Sequence, residues 1–218
     1  MWRTSSDAED TMTSAARTCC QLILTRMQGR LFASLRGPET RATSAPVPPN
    51  AEFLGIRLTL GTVFRPHPAA SLVDGHVALP VTDSGRVVIG GEDWEAPTYE
   101  NVEQFVRRLR DAGLLVRSRL NEEHFAGHRS RRTLQRQYHA STGLSQTAVT
   151  QIDRVNAAAT MLRGGLDWRT VVEALGYFDQ AHLAHALRRY VGRTARGLQA
   201  GDDASMSFLY KICPQPGS

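Results

Sequence analysis

The chain has 218 residues, enough for one large domain or two small ones, and its 41% hydrophobic and 22% charged content is ordinary for a globular protein. This composition argues against a wholly disordered or fibrous chain. The apolar runs fall far short of the roughly 20 residues of a membrane-spanning helix, and the first residues lack the basic-then-apolar order of a signal peptide. Three cysteines are too few for a disulfide framework, so we expect a cytoplasmic protein.

The first hundred residues predict a β-rich region. Alternating apolar residues on either side of Gln28-Gly29 predict two strands within 20–36, and 51–61 predicts a third. Residues 37–50 are rich in proline, threonine and serine, which predicts a loop. Residues 87–97 predict one more short strand.

The front half ends in a predicted helix over 99–115 that stops near Gly113, and it holds no catalytic constellation. The chain contains no phosphate-binding loop, nucleophile elbow or zinc-protease motif. His67 and His76 lack a carboxylate or cysteine at ligand spacing, so a metal pair there is the weaker interpretation. We predict no enzyme activity, no cofactor and no metal.

Positive charge is concentrated in the second half of the chain. Residues 117–199 hold 13 arginines and 6 acidic residues, whereas the rest holds 13 basic and 15 acidic residues. Every basic residue except Lys211 is an arginine, whose fork makes paired bonds to phosphate or guanine that lysine cannot copy. This charge indicates a polyanionic partner, most often nucleic acid, although a solvated arginine-rich surface would give the same composition.

Residues 167–198 carry the pattern of a helix, a glycine-containing turn and a second helix. Asp167 can cap a first helix that Gly176 ends, and Asp179 can cap a second helix over 180–191. This arrangement is the helix-turn-helix unit.

The second of these helices has an apolar face and a cationic face. Leu183, Leu187 and Tyr190 share one side, which fits a small core. The opposite side holds donors and cations without a carboxylate and could read base edges in the DNA major groove, while a merely solvated basic face is the alternative. Its members are Ala181, His182, His185, Arg188 and Arg189.

A helix of the same kind is predicted about 50 residues earlier, from a cap at or near Ser130 to Ser141-Thr142-Gly143. Leu134 and Tyr138 lie on one side of it, and Arg132, Gln135, Arg136 and His139 lie on the other. Between the two units, 146–165 predicts an amphipathic helix of about 18 residues, roughly 27 Å long. Such a helix could hold two recognition helices about one DNA turn, on the order of 34 Å, apart.

Together the segments RTLQRQYHASTGLS (132–145), Asp153-Arg154 and LGYFDQAHLAHALRRYVGRTARGL (175–198) resemble the DNA-binding domain of AraC/XylS-type transcriptional regulators. The resemblance implies an α+β chain, with a small β-rich, cupin-like N-terminal domain followed by an all-α, seven-helix domain with two helix-turn-helix units. We expect the N-terminal domain to be incomplete. The implied division is 1–98 for the sensor or dimerisation domain, 99–118 for a connecting helix and linker, 119–200 for the DNA-binding domain, and 201–218 for a tail.

The resemblance also implies particular site residues and partners. Double-stranded DNA is the main partner; RNA polymerase, a small-molecule effector at the N-terminal domain and a second copy of the chain are further ones, and a membrane is not. Base contacts in the first unit would come from Arg132, Gln135 and Arg136, and those in the second from Gln180, Ala181, His182 and His185. Phosphate positioning would come from groups such as Arg131, Thr142 and Arg188.

The sequence departs from the family pattern in three places. NEEHFAGHRS (121–130) stands where the first unit should have an apolar, alanine-rich helix, which predicts weaker docking of that unit. His185 stands where many members carry an arginine, and Ala195 stands where proline is usual. The unusual first unit keeps open a protein-interaction module with a degenerate DNA-binding domain. An enzyme that transfers methyl groups from alkylated DNA to Cys19 or Cys20 is the remaining alternative.

Overall fold

The computed structural model describes residues 2–3, 10–118, 131–201 and 211–212, and at 2, 3, 10, 131, 134, 211 and 212 it describes the backbone alone. We call residues 10–118 the front region and residues 131–201 the helical region. The front region is built from several antiparallel sheets and the helical region from helices, so the predicted α+β class is confirmed.

Strands dominate the front region. In chain order the strands of the described residues are β1 (Trp2–Arg3), β2 (Asp10–Ser14), β3 (Gln21–Met27), β4 (Arg30–Arg36), β5 (Thr43–Val47), β6 (Ala51–Arg57), β7 (Thr62–Phe64), β8 (His76–Leu79), β9 (Arg86–Ile89), β10 (Glu92–Glu95), β11 (Leu115–Arg117) and β12 (Lys211–Ile212), of which β1 and β12 lie outside the front region. The helices are α1 (Val102–Asp111), α2 (Arg131–Thr142), α3 (Gln146–Arg163), α4 (Trp168–Leu175), α5 (Gln180–Tyr190) and α6 (Ala195–Gln199), with a short 3-10 helix at Ala69–Ser71.

The main sheet has the order β1-β6-β3-β4-β8, and β12 pairs in parallel with β6. The predicted hairpin of β3 and β4 is confirmed: Gln28 and Gly29 have φ values of 51° and 74°, the left-handed pair that a two-residue hairpin turn requires. The predicted third strand is confirmed as β6, which pairs antiparallel with β3.

Two predictions for the front region need correction. Residues 37–50 are not a continuous loop, because β5 lies within them and pairs with β2, burying Val47. Residues 87–97 hold parts of two strands rather than one, because Gly90-Gly91 turns β9 back onto β10. In both places the chain gains main-chain hydrogen bonds from a strand partner, which outweighs weak local β propensity.

Helix α1 packs on one face of the main sheet and is shorter than the predicted 99–115, because it begins at Val102 and Leu115 belongs to β11. Val102, Phe105 and Leu109 are buried in one cluster with apolar side chains of β3, β4 and β6. Trp94 meets the Phe105 ring edge-on, with ring centroids 6.4 Å apart, and its indole N–H donates to the Ile89 carbonyl. The predicted end of the helix is confirmed at Gly113, which has a φ of 72°.

Helix α3 forms the axis of the helical region. Val155, Ala159 and Leu162 pack against α4, α5 and α6, whereas Val149 and Ile152 pack toward the end of α2. One helix therefore supports both halves of the region. No helix among the described residues is both long enough and apolar enough to cross a membrane.

Candidate nucleic-acid interface

Local hydrogen bonds fix the second helix-turn-helix unit as predicted. Asp167 Oδ1 accepts from the backbone N–H groups of Arg169 and Thr170, at 2.8 and 3.3 Å, and thereby caps α4. These bonds, with one from the Thr170 hydroxyl as the largest contribution, hold the pKa of Asp167 below its ordinary value. Gly176 ends α4 with a φ of 66°, and Asp179 Oδ1 caps α5 by accepting from the His182 N–H at 2.7 Å.

Helix α5 has the two faces that its sequence predicts. Leu183 and Leu187 are buried against α3, and Tyr190 is half-buried with its hydroxyl donating to Gln151. The opposite face is exposed, and the sequence places no carboxylate on it. The exposed members are Gln180, Ala181, His182, His185, Arg188 and Arg189.

The turn before α5 holds His182 in one orientation. The Phe178 N–H donates to His182 Nδ1 at 3.3 Å, and the Tyr177 ring meets the imidazole edge-on at 5.2 Å. The guanidinium group of Arg154 on α3 lies over the Tyr177 ring, with its central carbon 4.6 Å from the ring centroid. Because Nδ1 accepts a hydrogen bond, the neutral ring carries its proton on Nε2 and presents a donor there.

Helix α2 presents an exposed polar face of the same kind. Arg132, Gln135, Arg136 and His139 are all exposed, as predicted. The side chain of Arg131 lies outside the described residues. Segment 121–130, which has NEEHFAGHRS in place of the apolar helix expected for the first unit, also lies outside the described residues. The weaker docking of the first unit therefore stays a prediction.

The expectation that Thr142 contacts phosphate is wrong. Its side chain is only 2% exposed, and its hydroxyl lies 2.9 Å from the Tyr138 carbonyl oxygen and 3.1 Å from the Leu144 backbone nitrogen. The Thr142 hydroxyl therefore links the last turn of α2 to the residues that follow it through hydrogen bonds. Of the other predicted phosphate groups, Arg188 is exposed.

Helices α2 and α5 both end against the front region. Gly143 follows α2 with a φ of 74°, and a methyl group added there would lie 2.8 Å from Val73 Cγ2 and 2.9 Å from the Ala69 carbonyl oxygen. We call this the first docking contact. Gly192 follows α5 with the same φ, and a methyl group there would lie 2.9 Å from Thr13 Cγ2 and 3.1 Å from Ala42 Cβ. We call this the second docking contact.

Backbone hydrogen bonds strengthen the second docking contact. The Ala16 N–H donates to the Tyr190 carbonyl at 2.6 Å, and the Ala42 N–H donates to the Arg189 carbonyl at 2.8 Å. The last carbonyls of a helix have no partners within the helix, so these two amides of the front region satisfy acceptors that would otherwise need water. Asn156 of α3 donates in turn to the Ala16 carbonyl at 3.0 Å.

A buried ion pair holds the chain segments that supply these amides. Arg17 Nη2 lies 2.8 Å from Glu39 Oε2, and the two residues also exchange backbone hydrogen bonds of 2.9 Å. Ser14 donates to the same carboxylate oxygen at 2.7 Å. Ala16 directly precedes Arg17 and Ala42 lies three residues after Glu39, so the ion pair holds the two chain segments that meet the end of α5.

The comparison with known proteins agrees with this geometry. Residues 126–200, about a third of the chain, match the model of a family described as a helix-turn-helix domain. No curated protein and no solved structure matches the chain. The helical region is thus a helix-turn-helix DNA-binding domain, and the matched family is one of DNA-binding domains rather than of enzymes.

The matched domain supports a DNA-binding transcriptional regulator of the AraC/XylS type, with double-stranded DNA as its partner. The family match starts at residue 126 and spans the segments that carry the sequence resemblance. Among the described residues, no group of three or more His, Cys, Asp or Glu is placed to hold a metal ion.

Sequence reasoning missed two features of the site. The docking contacts use small residues and backbone amides, such as those of Ala16 and Ala42, which give no sequence signal. Phe178 was also missed: it is 90% exposed in the turn between α4 and α5. Its place directly before the cap Asp179 was a signal that could have identified it.

Proposed function

We propose that the chain reads two adjacent major-groove segments of one DNA site, one with α2 and one with α5. The main support is that each helix carries an exposed face of donors and cations. An α-helix fits the major groove, where arginine pairs with guanine, and glutamine pairs with adenine. In this proposal Arg132, Gln135 and Arg136 contact bases in the first segment. The contacts in the second come from Gln180, Ala181, His182 and His185, while Arg131 and Arg188 bind phosphate.

Helix α3 supports the spacing that this proposal needs. It has 18 residues, which at 1.5 Å per residue give a length of about 27 Å. It packs against the end of α2 on one side and against α5 on the other. A single rigid helix between the two recognition helices favours binding to neighbouring groove segments on one side of the duplex.

We further propose that the front region is a sensor domain that controls how the two recognition helices are placed. The docking contacts support this, because the front region touches the C-terminal end of both α2 and α5 while leaving their polar faces exposed. Ala15 packs into the core of the second unit, and its neighbour Ala16 packs with Leu144 and Ile152 beside the first. An effector that shifted this segment would alter both units together, since a ligand biases whichever arrangement it binds better.

The division of the chain remains part of this proposal. It places the sensor at 1–98, the connecting segment at 99–118, the DNA-binding domain at 119–200 and the tail at 201–218. The connecting segment is not a free linker, because α1 belongs to the core of the front region and β11 pairs with β7. A small-molecule effector would bind the front region, and RNA polymerase and a second copy of the chain are the further partners that we expect.

Base reading is tested by comparing one arginine on α2 with one on the front region. The full chain is used to select its preferred site from random DNA, and binding is then measured on that site and on random duplex. Arg136→Ala is expected to weaken binding to the selected site by roughly 5- to 150-fold, the effect of one bidentate base contact, and to weaken binding to random DNA much less. Arg107→Ala, an equal loss of charge on an exposed position of α1, is the matched control.

The outcomes distinguish the two functions that the sequence leaves open. Arg107→Ala should leave the ratio of specific to random binding unchanged. Equal losses on both DNAs for Arg136→Ala would contradict the base-reading role. No binding to any duplex at low salt would favour the protein-interaction module, because the arginine–phosphate attraction is strongest there.

A further inference from the structure

The turn between α4 and α5 leaves one aromatic side chain almost fully in water. Phe178 is 90% exposed, while the other exposed large apolar residues of the described chain, Phe32, Tyr99 and Leu166, range from 38% to 46%. A single exposed apolar residue is ordinary on a protein surface. Exposure alone therefore does not assign a binding role to Phe178, and its position in the fold must be considered.

Phe178 is anchored at the N-terminal end of the second recognition helix. Its backbone N–H is bound to His182 Nδ1, and the next residue, Asp179, caps α5. Its other neighbour, Tyr177, is buried beneath the Arg154 guanidinium. The backbone of Phe178 is thus held on both sides, although its ring touches little. In helix-turn-helix proteins the residues at this end of the recognition helix face the base edges.

The chemistry of the ring narrows what it can recognise. A phenyl group neither donates nor accepts a hydrogen bond, so it cannot contribute to phosphate binding or to the donor and acceptor pattern of the bases. The one apolar group that the major groove offers is the C5 methyl of thymine, and phenylalanine is among the side chains that contact it. Covering the ring and the methyl group together removes apolar surface of both from water.

We propose that Phe178 is a specificity-determining residue that contacts the C5 methyl group of a thymine next to the bases read by α5. The proposal rests on the proposed function, since it requires that α5 enter the major groove. This contact makes the second unit prefer thymine over cytosine at one position, because cytosine lacks the methyl group. Phe178 acts there beside His182, whose Nε2 presents a hydrogen-bond donor.

The test removes the methyl group from the DNA and the ring from the protein in turn. Each thymine of the selected site is replaced singly by deoxyuridine, which differs only by the missing methyl group. Dissociation constants are measured for the wild-type chain, for Phe178→Ala and for Phe32→Ala. Phe32→Ala is the matched control, since it removes an exposed phenylalanine from β4 of the front region.

One deoxyuridine position is expected to weaken wild-type and Phe32→Ala binding by about fourfold, the effect of uncovering one apolar carbon. Phe178→Ala should bind the original site more weakly and should be insensitive to the same replacement. Because Phe178 contributes almost nothing to the core, the variant should remain folded, which its thermal unfolding checks.

Two results would overturn the proposal. The first is a set of deoxyuridine effects that is identical in wild type and Phe178→Ala. The second is unchanged DNA binding by Phe178→Ala together with reduced transcription in a reconstituted assay with RNA polymerase, which would make Phe178 a protein-contacting residue. If selection from random DNA yields no preferred site, the chain does not read bases, and the proposed function fails together with this proposal.

Discussion

Alanine at Gly192 is expected to destabilise the protein more than alanine at Gly176, and the difference measures the second docking contact. Both glycines follow helices of the same unit and have similar φ values, 74° and 66°. The left-handed conformation costs an L-residue about 1–2 kcal/mol, and this part is common to both variants. At Gly176 the described structure has no atom within 4 Å of the added methyl group.

At Gly192 the same methyl group meets the front region. It would lie 2.9 Å from Thr13 Cγ2 and 3.1 Å from Ala42 Cβ, so one of the two segments must shift. Forcing an extra methyl into packed structure adds about 1–3 kcal/mol. The total loss for Gly192→Ala is therefore expected to be about 2–5 kcal/mol, against about 1–2 kcal/mol for Gly176→Ala.

Urea denaturation of the full chains measures both losses as changes in the free energy of unfolding. Thr13→Ser supplies a second control, because it deletes the methyl group with which the new side chain collides. In the Thr13→Ser background the extra loss of Gly192→Ala should shrink, and the double-mutant cycle gives the coupling. Equal losses for Gly192→Ala and Gly176→Ala would refute the conclusion that the front region packs on the end of α5.

Two further predictions concern titratable groups. Partial burial raises the pKa of the Asp153 carboxyl in the folded state. Between the ordinary pKa of about 3.9 and this raised pKa, the folded state keeps a proton that the unfolded state loses. The free energy of unfolding therefore falls as the pH rises through that window. Asp153→Asn keeps an oxygen that can accept from the Thr18 hydroxyl. In urea denaturation its free energy of unfolding should equal or exceed that of wild type at pH 7, and any advantage should disappear near pH 3. A lower free energy of unfolding at pH 7 would contradict this. Burial also raises the pKa of Cys19, and it raises that of Cys20 to about 12. In a Cys213→Ser variant a thiol reagent at pH 8 should label the folded chain slowly, since the thiolate is the reactive form; rapid labelling would revive the methyl-transfer alternative.

Local chemistry accounts for the elements that the sequence predicted well. The turn at Gln28-Gly29 and the caps Asp167 and Asp179 depend on residues within a few positions of one another. The two faces of α5 follow from helical spacing alone, which is why Leu183 and Leu187 were correctly assigned to the core. These features need no knowledge of the rest of the fold.

Features that depend on distant segments were missed or misassigned. The strand β5 exists because β2 lies beside it, and nothing within 37–50 signals that partner. Thr142 was expected to contact phosphate, but it is buried at the end of α2, next to the first docking contact at Gly143. The donors Ala16 and Ala42 act through backbone amides, whose partners are set by tertiary position rather than by residue type.

Reading of two groove segments by one chain is tested most directly by hydroxyl-radical footprinting of the full chain on its selected site. We expect two protected segments on the same face of the duplex, with centres about 10 base pairs apart. Arg136→Ala should weaken protection of one segment and His185→Ala protection of the other. A single protected segment, or two segments on opposite faces of the duplex, would contradict the account.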